Sequence, residues 1–230
     1  MPTVSPFPGP VAYGWGVLLL VVVAALPVLL GTRAVLVRLP EPAEPEGKAL
    51  YRALPTRRFV LVCTVLAALG AGLVAVTLPT ATWPLWWVLC GPALVLVAVD
   101  ARTTWLPLRL THLVWAATAG ATVLAALLGG VALLARSAVG AGAAALLYLL
   151  LWRLSRGGLG FGDVRLAPVL GAAGAAVGWS TLVTMLLLGS LAGAAVGMVL
   201  ALRGRRGAFA YAPSMLTGAF LACGLRVLSG

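Results

Sequence analysis

The chain has 230 residues, 62% of them hydrophobic and only 9% charged, with a formal net charge of +11. A soluble globular domain carries about 25% charged residues, so this composition excludes one and marks a polytopic membrane protein. Its uncharged runs approach the roughly 20 residues a helix needs to cross about 30 Å of hydrocarbon, and they lack the polar alternation of membrane β-strands, so the spans are helical.

The positive charge is not pooled as a nucleic-acid surface. Of the 16 basic residues, 14 fall in four clusters, Arg33 to Arg58, Arg102 with Arg109, Arg153 to Arg165, and Arg203 to Arg206. The segments between spans that alternate with these clusters carry essentially none. This is the positive-inside pattern, which puts the clusters at the cytoplasmic face against anionic lipid and implies no nucleic-acid partner.

In chain order, residues 1–12 are uncharged and hold four prolines, as in an extracytoplasmic tail. A first span is expected over 13–31, retained because its arginines follow it rather than precede it. Residues 32–58, with Arg-Leu-Pro-Glu-Pro-Ala-Glu-Pro-Glu at 38–46, read as a short cytoplasmic loop without a core of its own. A membrane-embedded domain follows over 59–230, with spans at about 59–78, 85–99, 111–128, 131–152, 164–178, 180–202 and 210–228. Trp83, Trp86 and Trp87 suit the outer interface. Asp100 opens the loop after the third span, and Asp163 precedes a helix beginning at Val164. The expected fold class is thus all-α and polytopic, with about eight transmembrane helices and both termini extracytoplasmic. Arg136 and Arg226, near outer ends, are expected to snorkel. Gly174 and Gly178, and Gly189, Gly193 and Gly197, recur at four-residue spacing and predict helix-packing seams.

Polar chemistry is scarce enough for elimination. Cys63, Cys90 and Cys223 lie singly in apolar runs, and His112 has no acid or thiol at ligand spacing, so neither a disulfide framework nor a metal site is indicated. No Gly-x-Ser-Gly turn, phosphate-binding loop or dinucleotide fingerprint appears, and no cofactor is implied. Two aspartates remain, Asp100 and Asp163, the only ones in the chain. A carboxylate beside hydrocarbon is costly, and such residues are usually functional. Two held close together share one proton and can hydrolyse a peptide bond, one as base on water and the other as donor to the carbonyl. The glycines around Asp163 allow backbone approach and unusual dihedral angles. Each aspartate also has a structural alternative: Asp163 as a helix cap, Asp100 as a partner for Arg102 or Arg109.

Gly160-Phe161-Gly162-Asp163 followed by Val164-Arg165-Leu166 resembles the Gly-x-Gly-Asp signature of the type IV prepilin peptidases, a family of membrane aspartic proteases. The segment from Asp100 through Leu106-Pro107 to Leu110-Thr111 is similar to the family's first aspartate motif, and Phe209 to Pro213 resembles the start of its final span. The resemblance implies Asp100 and Asp163 as the catalytic pair and Gly160 and Gly162 as the active-site turn. It makes Pro107, Arg165 and Pro213 candidates for supporting roles. It implies an aspartic endopeptidase of the bacterial inner membrane that removes leaders from prepilin-like proteins (type IV pilins or pseudopilins) at the cytoplasmic face. Arg165 stands where the family usually has lysine, and Leu108 replaces a residue that is often polar. The short, cysteine-free loop 32–58 implies peptidase activity without the N-methyltransferase of larger members. Two other readings stay open: a proton-coupled transporter, and a catalytically inert component of pilus or secretion assembly.

Overall fold

The structure is a computed structural model that describes residues 10–41, 49–156, 158–204 and 209–229. Most of the expected tail, 1–12, lies outside these residues. Among them every long element is an α-helix: α1 (Pro10–Val37), α2 (Arg57–Thr77), α3 (Trp83–Cys90), α4 (Pro92–Thr103), α5 (Leu108–Gly129), α6 (Val131–Leu154), α7 (Phe161–Val177), α8 (Trp179–Leu202) and α9 (Ala212–Ser229). Short 3₁₀ turns occupy Tyr51–Ala53 and Thr80–Thr82. Six segments are long and apolar enough to cross a membrane, namely Gly14–Val37, Arg57–Thr77, Thr80–Thr103, Leu108–Gly129, Val131–Leu154 and Trp179–Leu202. The chain is an all-α polytopic membrane protein. α7 and α9, with 17 and 18 residues, are shorter and lie where two further spans were expected.

Several boundaries differ from the sequence reading, each for a local reason. α1 continues past Gly31 to Val37, because Leu36 is fully buried and Thr32 satisfies its hydroxyl internally, donating to Val28 O at 2.6 Å. The span expected at 85–99 is two helices that meet at Gly91. Pro92 has no N–H to offer the preceding turn and starts α4 at its first position, where that loss is harmless. α4 then carries on through Asp100 to Thr103, so Asp100 sits in a helix's last turn rather than opening a loop.

α4 and α7 are the enclosed helices. Eight of the 12 residues of α4 and 12 of the 17 of α7 are buried, so both are surrounded by protein more than by lipid. α7 is packed by α3, α5, α6, α8 and α9. Its contact with α6 is made by two glycines: a Cβ on Gly140 or on Gly171 would run into the other's backbone carbonyl. α8 and α9 meet in the same way at Gly189 and Gly218. Close backbone approach of this kind drives helix association where lipid offers no hydrophobic gain.

Two expectations for polar side chains are corrected. Trp86 is not at an interface; it is fully buried, donates from Nε1 to Ala173 O at 3.2 Å and makes an edge-on contact with Phe220, tying α3 to α7 and α9. Arg136 turns inward rather than outward and donates from Nη2 to Ala176 O at 3.1 Å. A cation on the last carbonyls of α7 matches that helix's dipole. Arg226 reaches Thr181 Oγ1 at 3.2 Å across the α8–α9 contact.

Candidate active site

The connections α1–α2, α4–α5, α6–α7 and α8–α9 converge at one end of the bundle. Pro40, Tyr51, the stretch Thr104–Arg109, Gly158, Gly160 and Tyr211 all line one cavity of about 710 Å³ there. Both aspartates open into it. Asp100 comes from the last turn of α4 and is 3% exposed; Asp163 comes from the first turn of α7 and is 4% exposed. They are near enough for their charges to interact.

Each carboxylate is held by backbone. The N–H of Ala212, at the start of α9, faces Asp100, whose Oδ2 is buried with no hydrogen-bond partner among the described residues. Asp163 is the third residue of α7 and turns back onto the N–H of Gly160, the residue that caps that helix. This is the acid half of a capping box, but the expected cap of a helix beginning at Val164 is not what forms: the helix begins at Phe161, Gly160 is its capping residue, and Asp163 lies inside the first turn and in the cavity. The suggested pairing of Asp100 with Arg102 or Arg109 is not formed among the described residues: Arg102 faces a different groove, and Arg109 lines the cavity without an ion pair to Asp100.

The glycines work through space rather than through backbone dihedrals. Gly160 has φ −69° and ψ 138°, open to any residue, and Gly162 is helical. A Cβ on Gly160 would lie 3.1 Å from Asp163 Oδ2, and one on Gly162 would lie 2.6 Å from Leu106 Cδ1. Gly162 therefore lets the segment after Asp100 lie directly on the helix that carries Asp163. That segment is set by Thr104, whose φ of 57° and ψ of 23° are left-handed, an uncommon state for a β-branched residue. Its N–H closes α4 onto Asp100 O at 2.7 Å. Thr103 Oγ1 donates to Val99 O at 2.9 Å and accepts from the Trp105 N–H at 3.2 Å, which fixes the reversal.

The supporting candidates separate. Pro107 caps α5 and lines the cavity, as does Arg165, whose guanidinium lies 4.9 Å from the Phe161 ring centroid. Trp115 Nε1 donates to Arg165 O at 2.9 Å and locks α5 to α7. Pro213 does not line the aspartate cavity; it borders a second groove of about 630 Å³ between α2, α4 and α9. Sequence reading missed Pro40, Tyr51, Trp105 and Tyr211 as cavity residues. Trp105 lies inside the first aspartate motif and Tyr211 inside the segment from Phe209 to Pro213, whereas nothing in the local pattern marks Tyr51. His112 is exposed and pairs with the Trp115 ring at 5.9 Å. No group of three or more His, Cys, Asp or Glu converges among the described residues.

Comparison with known proteins agrees with these motifs. Residues 87–198 match the model of the type IV leader peptidase family, a stretch that contains both aspartates. Over 173 residues, 73% of the chain, it is 36% identical to the prepilin leader peptidase/N-methyltransferases of two Burkholderia pseudomallei strains, 1026b and K96243. The chain spans about half the length of these curated relatives, 52% of each being aligned. No solved structure matches it. The matches place residues 87–198 of this membrane protein in the type IV leader peptidase family.

Proposed function

We propose that the protein is an aspartic endopeptidase of the bacterial inner membrane that removes the leader from prepilin-like proteins at the cytoplasmic face. The observation that carries this reading is that the chain's only two aspartates, 63 positions apart, are buried in one cavity beside the basic connections. One carboxylate takes a proton from the attacking water while the other donates to the scissile carbonyl oxygen, and the pair titrates as a unit. Family membership over 87–198 supports the reaction class.

The second groove supports lateral entry of an apolar substrate stem. Its walls are Val62, Leu66, Leu73, Leu94, Val97 and Phe220 among others, and Ala101 and Pro213 at its edge directly follow Asp100 and Ala212. A stem lying there would deliver its end to the aspartates. The eight-span arrangement with extracytoplasmic termini belongs to the same proposal. So does cleavage without N-methylation, supported by a connection between α1 and α2 that contains no cysteine.

The transporter reading draws on the broken span α3–α4, because interrupted helices mark transport sites. The break is at Gly91, however, nine positions before Asp100 and outside the aspartate cavity. Co-expression with prepilins from the same genome tests the proposal by mass and N-terminal sequence of the product. Leader loss with wild type and retention with Asp163→Asn is expected. Retention with wild type across all of them, together with proton-driven flux in liposomes, would overturn it.

A further inference from the structure

We propose that Tyr51 is a specificity-determining wall of the aspartate cavity, held there by a two-pronged clamp from Glu41; the inference rests on the peptidase reading. Glu41 Oε2 accepts the Tyr51 N–H at 2.8 Å and Oε1 accepts the Arg52 N–H at 2.9 Å. These are consecutive amides at the start of the 3₁₀ turn Tyr51–Ala53, whose own capping residue, Leu50, provides no side-chain acceptor. A carboxylate accepting two backbone amides is a charge-assisted, geometrically specific tie. It joins the start of the connection after α1 to a point ten residues further on.

The tie has a structural consequence. Leu36 at the end of α1, and Leu39, Tyr51 and Leu54 after it, are all buried in the same continuous core as α4 and α7, so the described ends of this connection are docked against that core. Tyr51 is 5% exposed, yet its side chain reaches the cavity that holds Asp100 and Asp163. Burial, and then the Glu41 charge, push its phenol above the ordinary value. The other aromatic residues lining the cavity are Trp105, Phe161, Phe209 and Tyr211, which come from the later connections and α7. Tyr51 alone brings an aromatic wall from the α1–α2 connection. A peptide drawn to the aspartates passes this ring, whose position Glu41 sets, so the clamp governs the width available to substrate side chains.

The test uses the full chain in lipid nanodiscs, with Glu41→Ala, Glu41→Gln, Tyr51→Ala and Tyr51→Phe. A first measurement needs no proteolysis: a cysteine introduced at Leu106, inside the cavity, is labelled with a polar maleimide, the native cysteines being buried. Labelling should accelerate about tenfold in Glu41→Ala and Tyr51→Ala, by less in Glu41→Gln, and not in Tyr51→Phe. Unchanged labelling in both alanine variants would overturn the clamp. In cleavage of a prepilin peptide panel, KM should rise about tenfold in Tyr51→Ala with kcat held within about twofold, and bulkier side chains near the scissile bond should become acceptable. A fall in kcat at constant KM and unaltered preference would overturn the specificity role. Faster labelling without cleavage by wild type would uphold the clamp and refute the peptidase reading.

Discussion

Gly162→Ala separates two opposed effects whose sign the structure decides. Gly162 is helical, so by intrinsic propensity alone alanine would stabilise α7 by about 0.4 to 1 kcal/mol. The new Cβ, however, would lie 2.6 Å from Leu106 Cδ1 and 3.3 Å from Leu106 Cβ. Carbon atoms pack at about 3.5 to 4.0 Å, so Leu106 or α7 must shift by roughly 1 Å. Overpacking of this size costs about 1 to 3 kcal/mol, outweighing the propensity gain. To the extent that the Leu106 Cβ contact moves the backbone rather than the side chain alone, the Asp100 segment is pushed from the Asp163 helix, and misplacement approaching about 1 Å costs on the order of a hundredfold in rate. Cleavage of a prepilin peptide and thermal unfolding followed by tryptophan fluorescence should both fall in Gly162→Ala. Adding Leu106→Ala should restore most of the lost rate, because it removes the atom that collides. Full activity in Gly162→Ala, or a double variant no better than the single one, would refute the claim that Gly162 exists to seat Leu106.

Other expected outcomes test separate parts of the structure. Asp100→Asn and Asp163→Asn should each abolish cleavage while the protein still accumulates in the membrane; processing at the wild-type rate by either would remove that residue from the mechanism. Trp86→Phe should destabilise the protein by about 1 to 3 kcal/mol in thermal unfolding, through the lost hydrogen bond to Ala173 O and the cavity left behind. Trp115→Phe removes the donor to Arg165 O and should cost about 1 kcal/mol of stability, with a smaller loss of rate than Gly162→Ala. Gly140→Leu should disrupt the α6–α7 contact, lowering both folded yield and activity, whereas Gly142→Leu, where a Cβ meets nothing within 4 Å, should do neither.

The sequence by itself determined that the protein is helical and membrane-embedded, and it singled out Asp100 and Asp163. The physical reason is economy: lipid tolerates so few polar residues that charge position and two isolated carboxylates stand out against a 62% hydrophobic chain. Spacing marked Gly174, Gly189 and Gly193 as packing positions, and each does face a neighbouring element, but the close backbone pairs Gly140 with Gly171 and Gly189 with Gly218 depended on the arrangement of α6 to α9. Only the tertiary structure decided that the glycines beside Asp163 act through space, since a backbone angle and a neighbour such as Leu106 are not properties of a single segment. Trp86 and Arg136 were misplaced for the same reason: a hydrogen bond to a carbonyl of α7 can hold a polar group inside the bundle as well as water can outside it. Tyr51 was invisible in the sequence because its place in the cavity depends on Glu41, ten residues away in a stretch rich in proline and charge, and on the core that the connection docks against. Local pattern records the preferences of a segment, whereas a cavity wall is set by whatever the other segments bring opposite to it.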